Sequence, residues 1–219
     1  LVGYLGYESV RFFEPTLSEK MKRASTSLST NIPDGIYLLA DTIVAFDHAR
    51  RTIFLIANVL DGNADAANQK LDAIAERIQQ PLPAAQKIEV KPSEIKSNLT
   101  REKFEEMVLA AKEHIVAGDI FQVVLSQRFS RETNVEPFDV YRAVRRLNPS
   151  PYMFFFDFGL VDDEPLYIVG SSPEMFVRSD GRRVETCPIS GTIARGVDAI
   201  GDAEQIRQLL NSEKDEFEL

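Results

Sequence analysis

The sequence predicts a mixed α+β fold in which mostly antiparallel sheets pack with helices. Two observations carry this reading. Segments of alternating apolar residues outnumber the helical ones, and they pair mostly through short polar turns, the pattern of hairpins rather than of parallel crossovers. The composition fits a globular protein: of 219 residues, 44% are hydrophobic and 27% charged.

Taken in order, Leu1 to Tyr7 is strand-like. Ile36 to Leu60 reads as a hairpin. Its first strand alternates through Ile36, Leu38, Ala40, Val44 and Phe46. A polar turn at His48-Ala49-Arg50-Arg51 leads into Ile53, Leu55, Ala57 and Val59. Asp61-Gly62-Asn63 ends the second strand, and Ala64 to Gln80 has helical spacing with Ala67, Leu71, Ile74 and Ile78 on one face. Pro81, Pro83 and Pro92 punctuate a linker to about Asn98, which divides the chain into regions 1–98 and 99–219. Thr100 is placed to cap a helix with an apolar stripe of Phe104, Met107, Val108, Ala111 and Ile115, closing at Gly118. A strand is expected from Ile120 to Phe129. Pro137 opens a short helix with Phe138, Tyr141, Val144 and Leu147 inward, stopped by Asn148-Pro149-Ser150-Pro151. Tyr152 to Phe158 and Leu166 to Val169 read as strands, and Met175 to Cys187 as a hairpin around Asp180-Gly181. A last helix is expected from about Asp202 through Ile206, Leu209 and Leu210. The sequence opens without Met on strand-like residues and closes at Glu216-Phe217-Glu218-Leu219 within a helical stretch. It is therefore expected to be part of a longer chain at both ends.

Several function classes are disfavoured. No apolar run is long enough to span a bilayer, and no signal-like segment opens the chain. The single cysteine, Cys187, excludes an internal disulfide and a Cys-rich metal site, and favours a reducing compartment, most simply the cytoplasm. His48 and His114 leave little room for a His-rich zinc site. A net charge of −9 argues against binding a phosphate backbone. It also means that an anionic substrate would need a metal or local donors.

Four features could carry chemistry, each with a plain alternative. Gln122 lies on an apolar segment and, alone, reads as a hydrogen-bonded edge residue. Glu174 follows Ser171-Ser172-Pro173 just after a strand. That is ordinary turn chemistry, although neighbouring aromatics could bury the carboxylate. Gly191-Thr192 follows Pro188-Ile189-Ser190, a connector that also offers backbone N–H groups and a hydroxyl to a carboxylate. Asp215 and Glu218 share a helix face. They read as a solvated acidic face, or as half of a Mg²⁺ site if further oxygens converge.

The order of blocks narrows these alternatives. Gly118-Asp119-Ile120-Phe121-Gln122-Val123-Val124-Leu125-Ser126-Gln127-Arg128 resembles the first signature of the chorismate-binding enzymes. The next blocks are Asn148-Pro149-Ser150-Pro151-Tyr152-Met153, Gly170-Ser171-Ser172-Pro173-Glu174 and Glu185-Thr186-Cys187-Pro188-Ile189-Ser190-Gly191-Thr192-Ile193-Ala194-Arg195-Gly196. Ser212-Glu213-Lys214-Asp215-Glu216-Phe217-Glu218 is similar to the start of a fifth. Gly3-Tyr4-Leu5-Gly6-Tyr7-Glu8 and the first hairpin resemble the more variable N-terminal region of anthranilate synthase and aminodeoxychorismate synthase large chains.

The resemblance implies the component I fold and a set of roles. It implies Glu218 as a Mg²⁺ ligand with Asp215 beside it, and Glu174 as a general acid for the departing C4 hydroxyl. A glutamic acid does that near neutral pH only if burial raises its pKa. It implies that Gly191, Thr192 and Ser190 contact substrate. Gln122 stands where isochorismate and salicylate synthases carry a lysine base, which ammonia does not need. Ser190 stands where many aminodeoxychorismate synthases carry a covalent lysine. Both positions favour amination at C2 and an anthranilate product, with ammonia from a glutaminase partner. Asn148, Pro149, Pro151, Tyr152 and Met153 resemble a tryptophan feedback site. The base for pyruvate elimination and the remaining metal glutamates are expected beyond residue 219, so this stretch alone is expected to be catalytically incomplete. Aminodeoxychorismate synthase, or a chorismate- or tryptophan-binding chain without catalysis, are the alternatives.

Overall fold

The computed structural model describes residues 1–17, 32–60, 62–84, 89–189 and 191–212. They fall into two compact units, one of Leu1–Ala84 with Tyr141–Leu219 and one of Ala85–Val140.

In the first unit, β1 (Val2–Leu5) pairs antiparallel with β2 (Gly35–Leu38). Between them lie a 3-10 turn at Tyr7–Ser9 and a one-turn helix α1 (Val10–Phe13). β3 (Thr42–Asp47) and β4 (Thr52–Ala57) form the expected hairpin. One feature differs from expectation: Ile36–Leu38 belongs to β2 and pairs with β1, not with the hairpin. The chain changes partner around Asp41, whose carbonyl accepts the Asn58 N–H at 2.7 Å and whose carboxylate takes Lys70 Nζ at 2.7 Å and Thr42 Oγ1 at 3.0 Å. Helix α2 (Ala64–Gln79) follows, its N-terminus capped by Asn63, which accepts the Ala66 N–H at 3.0 Å.

The longest pair is β7 (Tyr152–Val161) with β8 (Glu164–Ser172), also antiparallel. Both strands run further than their apolar segments suggest. Asp162 and Asp163 turn the chain with φ of 51° and 64°, the two positive values of a two-residue hairpin turn. β7 is apolar on both faces. Phe154, Phe156 and Phe158 stack along one face, with centroids 5.3 and 5.4 Å apart, and Tyr4 of β1 meets Phe158 edge-on at 5.6 Å. On the other face Phe155 lies between Tyr167, at 5.9 Å, and Tyr141, at 6.2 Å. β9 (Met175–Asp180) and β10 (Arg183–Cys187) form the last hairpin. Helix α5 (Ala199–Leu210) ends the described chain and starts before Asp202 because Asp198 caps it.

In the second unit, β5 (Lys96–Ser97) pairs with β6 (Phe129–Ser130). Helix α3 (Arg101–Ala117) has the predicted Thr100 cap, accepting Lys103 N–H at 3.2 Å, and closes at a left-handed Gly118. The strand expected from Ile120 to Phe129 is corrected: only its last residue joins a ladder. Its apolar residues have strand propensity but find no partner strand among the described residues, and Phe121 and Val124 are exposed. Helix α4 (Pro137–Leu147) runs from this unit into the first. Its inward face is also corrected, since Tyr141 and Val144 are half-buried but Phe138 and Leu147 are exposed. Among the described residues only Ser9 is fully buried, so packing rests on half-buried side chains such as the Phe residues of β7 and Leu166, Ile168 and Val169 of β8.

Candidate functional site

The β7–β8 and β9–β10 hairpins bring three of the sequence blocks to one junction. Tyr152 pairs with Ser172 and Met153 with Ser171, so the Asn148–Met153 block lies beside the end of β8. Ser171 Oγ donates to the Asn148 carbonyl at 2.6 Å, tying the two together. Pro173 and Glu174 then connect β8 to β9. Cys187 pairs with Met175, so the loop from Pro188 leaves the hairpin at the end where Glu174 enters it. The Gly-Ser-Ser-Pro-Glu block also explains itself locally. Gly170 is opposite Phe154, and a Cβ at Gly170 would overlap that ring.

Glu174 is exposed, as is its neighbour Phe176 at 89%. The burial by aromatics considered from the sequence is thus not supplied by the described residues. The Ser172 hydroxyl lies 3.4 Å from the Glu174 carbonyl. Thr192 is exposed and Gly191 half-buried, in a connector without regular structure. Asn148, Pro149, Pro151 and Tyr152 are exposed and Met153 half-buried. Gln122 belongs to the other unit, on the unpaired segment before β6. That segment is held at its far end, where Gln127 Nε2 donates to Ser97 Oγ at 2.7 Å and Arg128 N–H to Asn98 Oδ1 at 2.8 Å.

Ser190, Asp215 and Glu218 lie outside the described residues. Among the described residues no group of three His, Cys, Asp or Glu side chains is gathered to hold a metal. They do not by themselves make a Mg²⁺ site.

Sequence pattern alone marks Asp202 only as a helix start and assigns Arg195 no contact. Asp202 accepts the Gly196 N–H at 3.1 Å and Arg195 Nη1 at 2.5 Å, closing the connector onto α5. The signal was present in Asp198-Ala199-Ile200-Gly201, a capping Asp three residues before a close-packed glycine. It moves the helix start upstream and leaves Asp202 in the first turn.

A family model described as chorismate binding enzyme matches residues 1–219. The chain belongs to the chorismate-binding enzymes. Among curated relatives, it is 38% identical to anthranilate synthase component 1 of Acetivibrio thermocellus, over 98% of the chain and 44% of the relative. It is 35% identical to a probable anthranilate synthase component 1 of Schizosaccharomyces pombe, over 99% of the chain and 44% of the relative. The fold is similar to that of anthranilate synthase component I from Streptococcus pneumoniae, with a TM-score of 0.77 and 31% identity, over 99% of this chain and 46% of that one. The chain therefore spans a little under half the length of the relatives it matches, and the α+β architecture is that of component I.

Proposed function

We propose that this chain is part of the large subunit of an anthranilate synthase, a cytoplasmic Mg²⁺-dependent lyase that converts chorismate and ammonia to anthranilate and pyruvate. The observation that carries the reading is the shared hairpin end, from which the Glu174 turn and the Gly191-Thr192 connector both emerge. It supports an acid and a set of anion donors acting on one substrate.

In the first step ammonia adds at C2, both ring double bonds shift by one position (C1=C2 to C1=C6, C5=C6 to C4=C5) and the C4 hydroxyl leaves as water. Hydroxide is a poor leaving group, so Glu174 gives that oxygen its proton. Backbone N–H groups at Gly191 and the Thr192 hydroxyl orient a substrate carboxylate, with Ser190 beside them. Gln122 is neutral, which suits a nucleophile that needs no base. Loss of the C2 proton and of pyruvate then gives the aromatic product. Mg²⁺, with Glu218 and Asp215 among its oxygen ligands, would offset the substrate's negative charge. The ammonia comes from a glutamine amidotransferase partner. Tryptophan binds at Asn148, Pro149, Pro151, Tyr152 and Met153, and the Ser171–Asn148 hydrogen bond gives it a route to the Glu174 turn.

The test uses the full-length protein with chorismate, Mg²⁺ and an ammonium salt, and products are identified by mass and fluorescence. Fluorescent anthranilate is expected, and Glu174→Gln is expected to lower kcat by about 10²- to 10⁴-fold. Aminodeoxychorismate or isochorismate as the final product would overturn the reading of Gln122 and Ser190.

A further inference from the structure

The connector that carries Gly191 and Thr192 is anchored at both ends. At one end Cys187 is paired with Met175. At the other, the two oxygens of Asp202 divide their work: Oδ1 accepts the Gly196 N–H at 3.1 Å and Oδ2 accepts Arg195 Nη1 at 2.5 Å. Gly196 lies so close to α5 that a Cβ there would overlap the backbone of Gly201 and Asp202. The helix does not need Asp202 as its cap. Asp198 does that, accepting the Gly201 N–H at 2.7 Å. The Asp202 side chain is only 27% exposed, whereas Arg195 is 85% exposed and reaches in to meet it. The Gly196 N–H first, and Arg195 second, hold the Asp202 carboxyl below its usual value, as expected of a carboxylate used as a fixed acceptor.

We propose that Asp202 is a positioning residue for substrate: by clamping Arg195 and Gly196 to the first turn of α5, it fixes the connector that presents the Gly191 and Thr192 donors. The identity of that substrate, the dicarboxylate chorismate, rests on the function proposed above. Thr192 is only three residues from the clamp, a reach of at most about 10 Å, so freeing the clamp frees the donors. Donors displaced by about 1 Å lose much of their value to an oriented substrate.

The test compares wild type, Asp202→Ala and Asp202→Asn in the full-length protein. Three quantities are read: backbone amide exchange over residues 191–196, kcat and KM for chorismate, and the thermal midpoint. Asp202→Ala is expected to speed exchange across the connector and raise KM about tenfold, with kcat within about threefold. Asp202→Asn keeps an oxygen for the Gly196 N–H but no charge for Arg195, and is expected to fall between. Unchanged exchange overturns the clamp. Faster exchange with KM unmoved, or a parallel fall in kcat and thermal midpoint at constant KM, reduces Asp202 to a structural role and overturns the proposal. A wild type that makes no product from chorismate sinks the proposed reaction and the substrate half of this inference, while the exchange comparison still decides the clamp.

Discussion

Asp41 and Asp202 use one device at two places, a carboxylate that fastens a loop by accepting several hydrogen bonds at once. For Asp41 the donors are Lys70 Nζ and Thr42 Oγ1, and they hold its carboxyl below the ordinary value of 3.8. The sign of the pH effect follows. A carboxyl whose folded pKa is depressed contributes stability above its unfolded pKa and loses it as pH falls through the folded value. In the full-length protein, the gap in thermal midpoint between wild type and Asp41→Asn should therefore be constant from about pH 5 to 8 and close below about pH 4. A gap that closes near neutrality would point to another titrating group. The catalytic candidates behave differently at this scale. Glu174, Gln122 and Thr192 are exposed side chains whose types and order are legible in the sequence. Their surroundings are not, because burial depends on what packs over them from elsewhere in the chain.

Elements whose ends are specified by their own residues were the most legible. Helix α3 carries both its Thr100 cap and its Gly118 stop, and both act as read. The β9–β10 hairpin is likewise marked by its own turn at Asp180-Gly181. Ile120 to Phe129 shows the opposite case. Ile120, Phe121, Val123, Val124 and Leu125 have strand propensity, but a strand is a relation to a partner, and sequence spacing does not say whether one is at hand. The β8 strand began earlier than expected because Glu164 and Pro165 continue the ladder up to the Asp162-Asp163 turn. The junction of the site was half legible: the blocks could be listed, but the Ser171–Asn148 bond and the Asp202 clamp are tertiary facts. The hairpin also gives a test of packing. Gly170→Ala should cost about 1–3 kcal/mol in denaturant unfolding of the full-length protein, because its methyl meets the Phe154 ring. Combining it with Phe154→Leu should recover part of that loss, and strict additivity would mean the two residues do not compete for space.

Across the molecule, five sheets of two strands each make up the described ladders, and no apolar side chain among the described residues is fully buried. An isolated two-stranded sheet is marginal in water. Residues 1–219 alone are therefore expected to melt broadly, with different midpoints by far-ultraviolet and near-ultraviolet circular dichroism. A single sharp transition seen by both probes would show that these pairs form one cooperative unit. Within its own ladder the β7–β8 turn sets an order in time. Val161 and Glu164, next to the turn, are the cheapest rung to close, and Tyr152 with Ser172 the most remote. A hairpin that zips from its turn in microseconds reaches the Ser171–Glu174 junction last and, in fraying, releases it first. The end of the hairpin that leads into the proposed Glu174 turn is thus also the end that can breathe while the rest of the ladder stays closed.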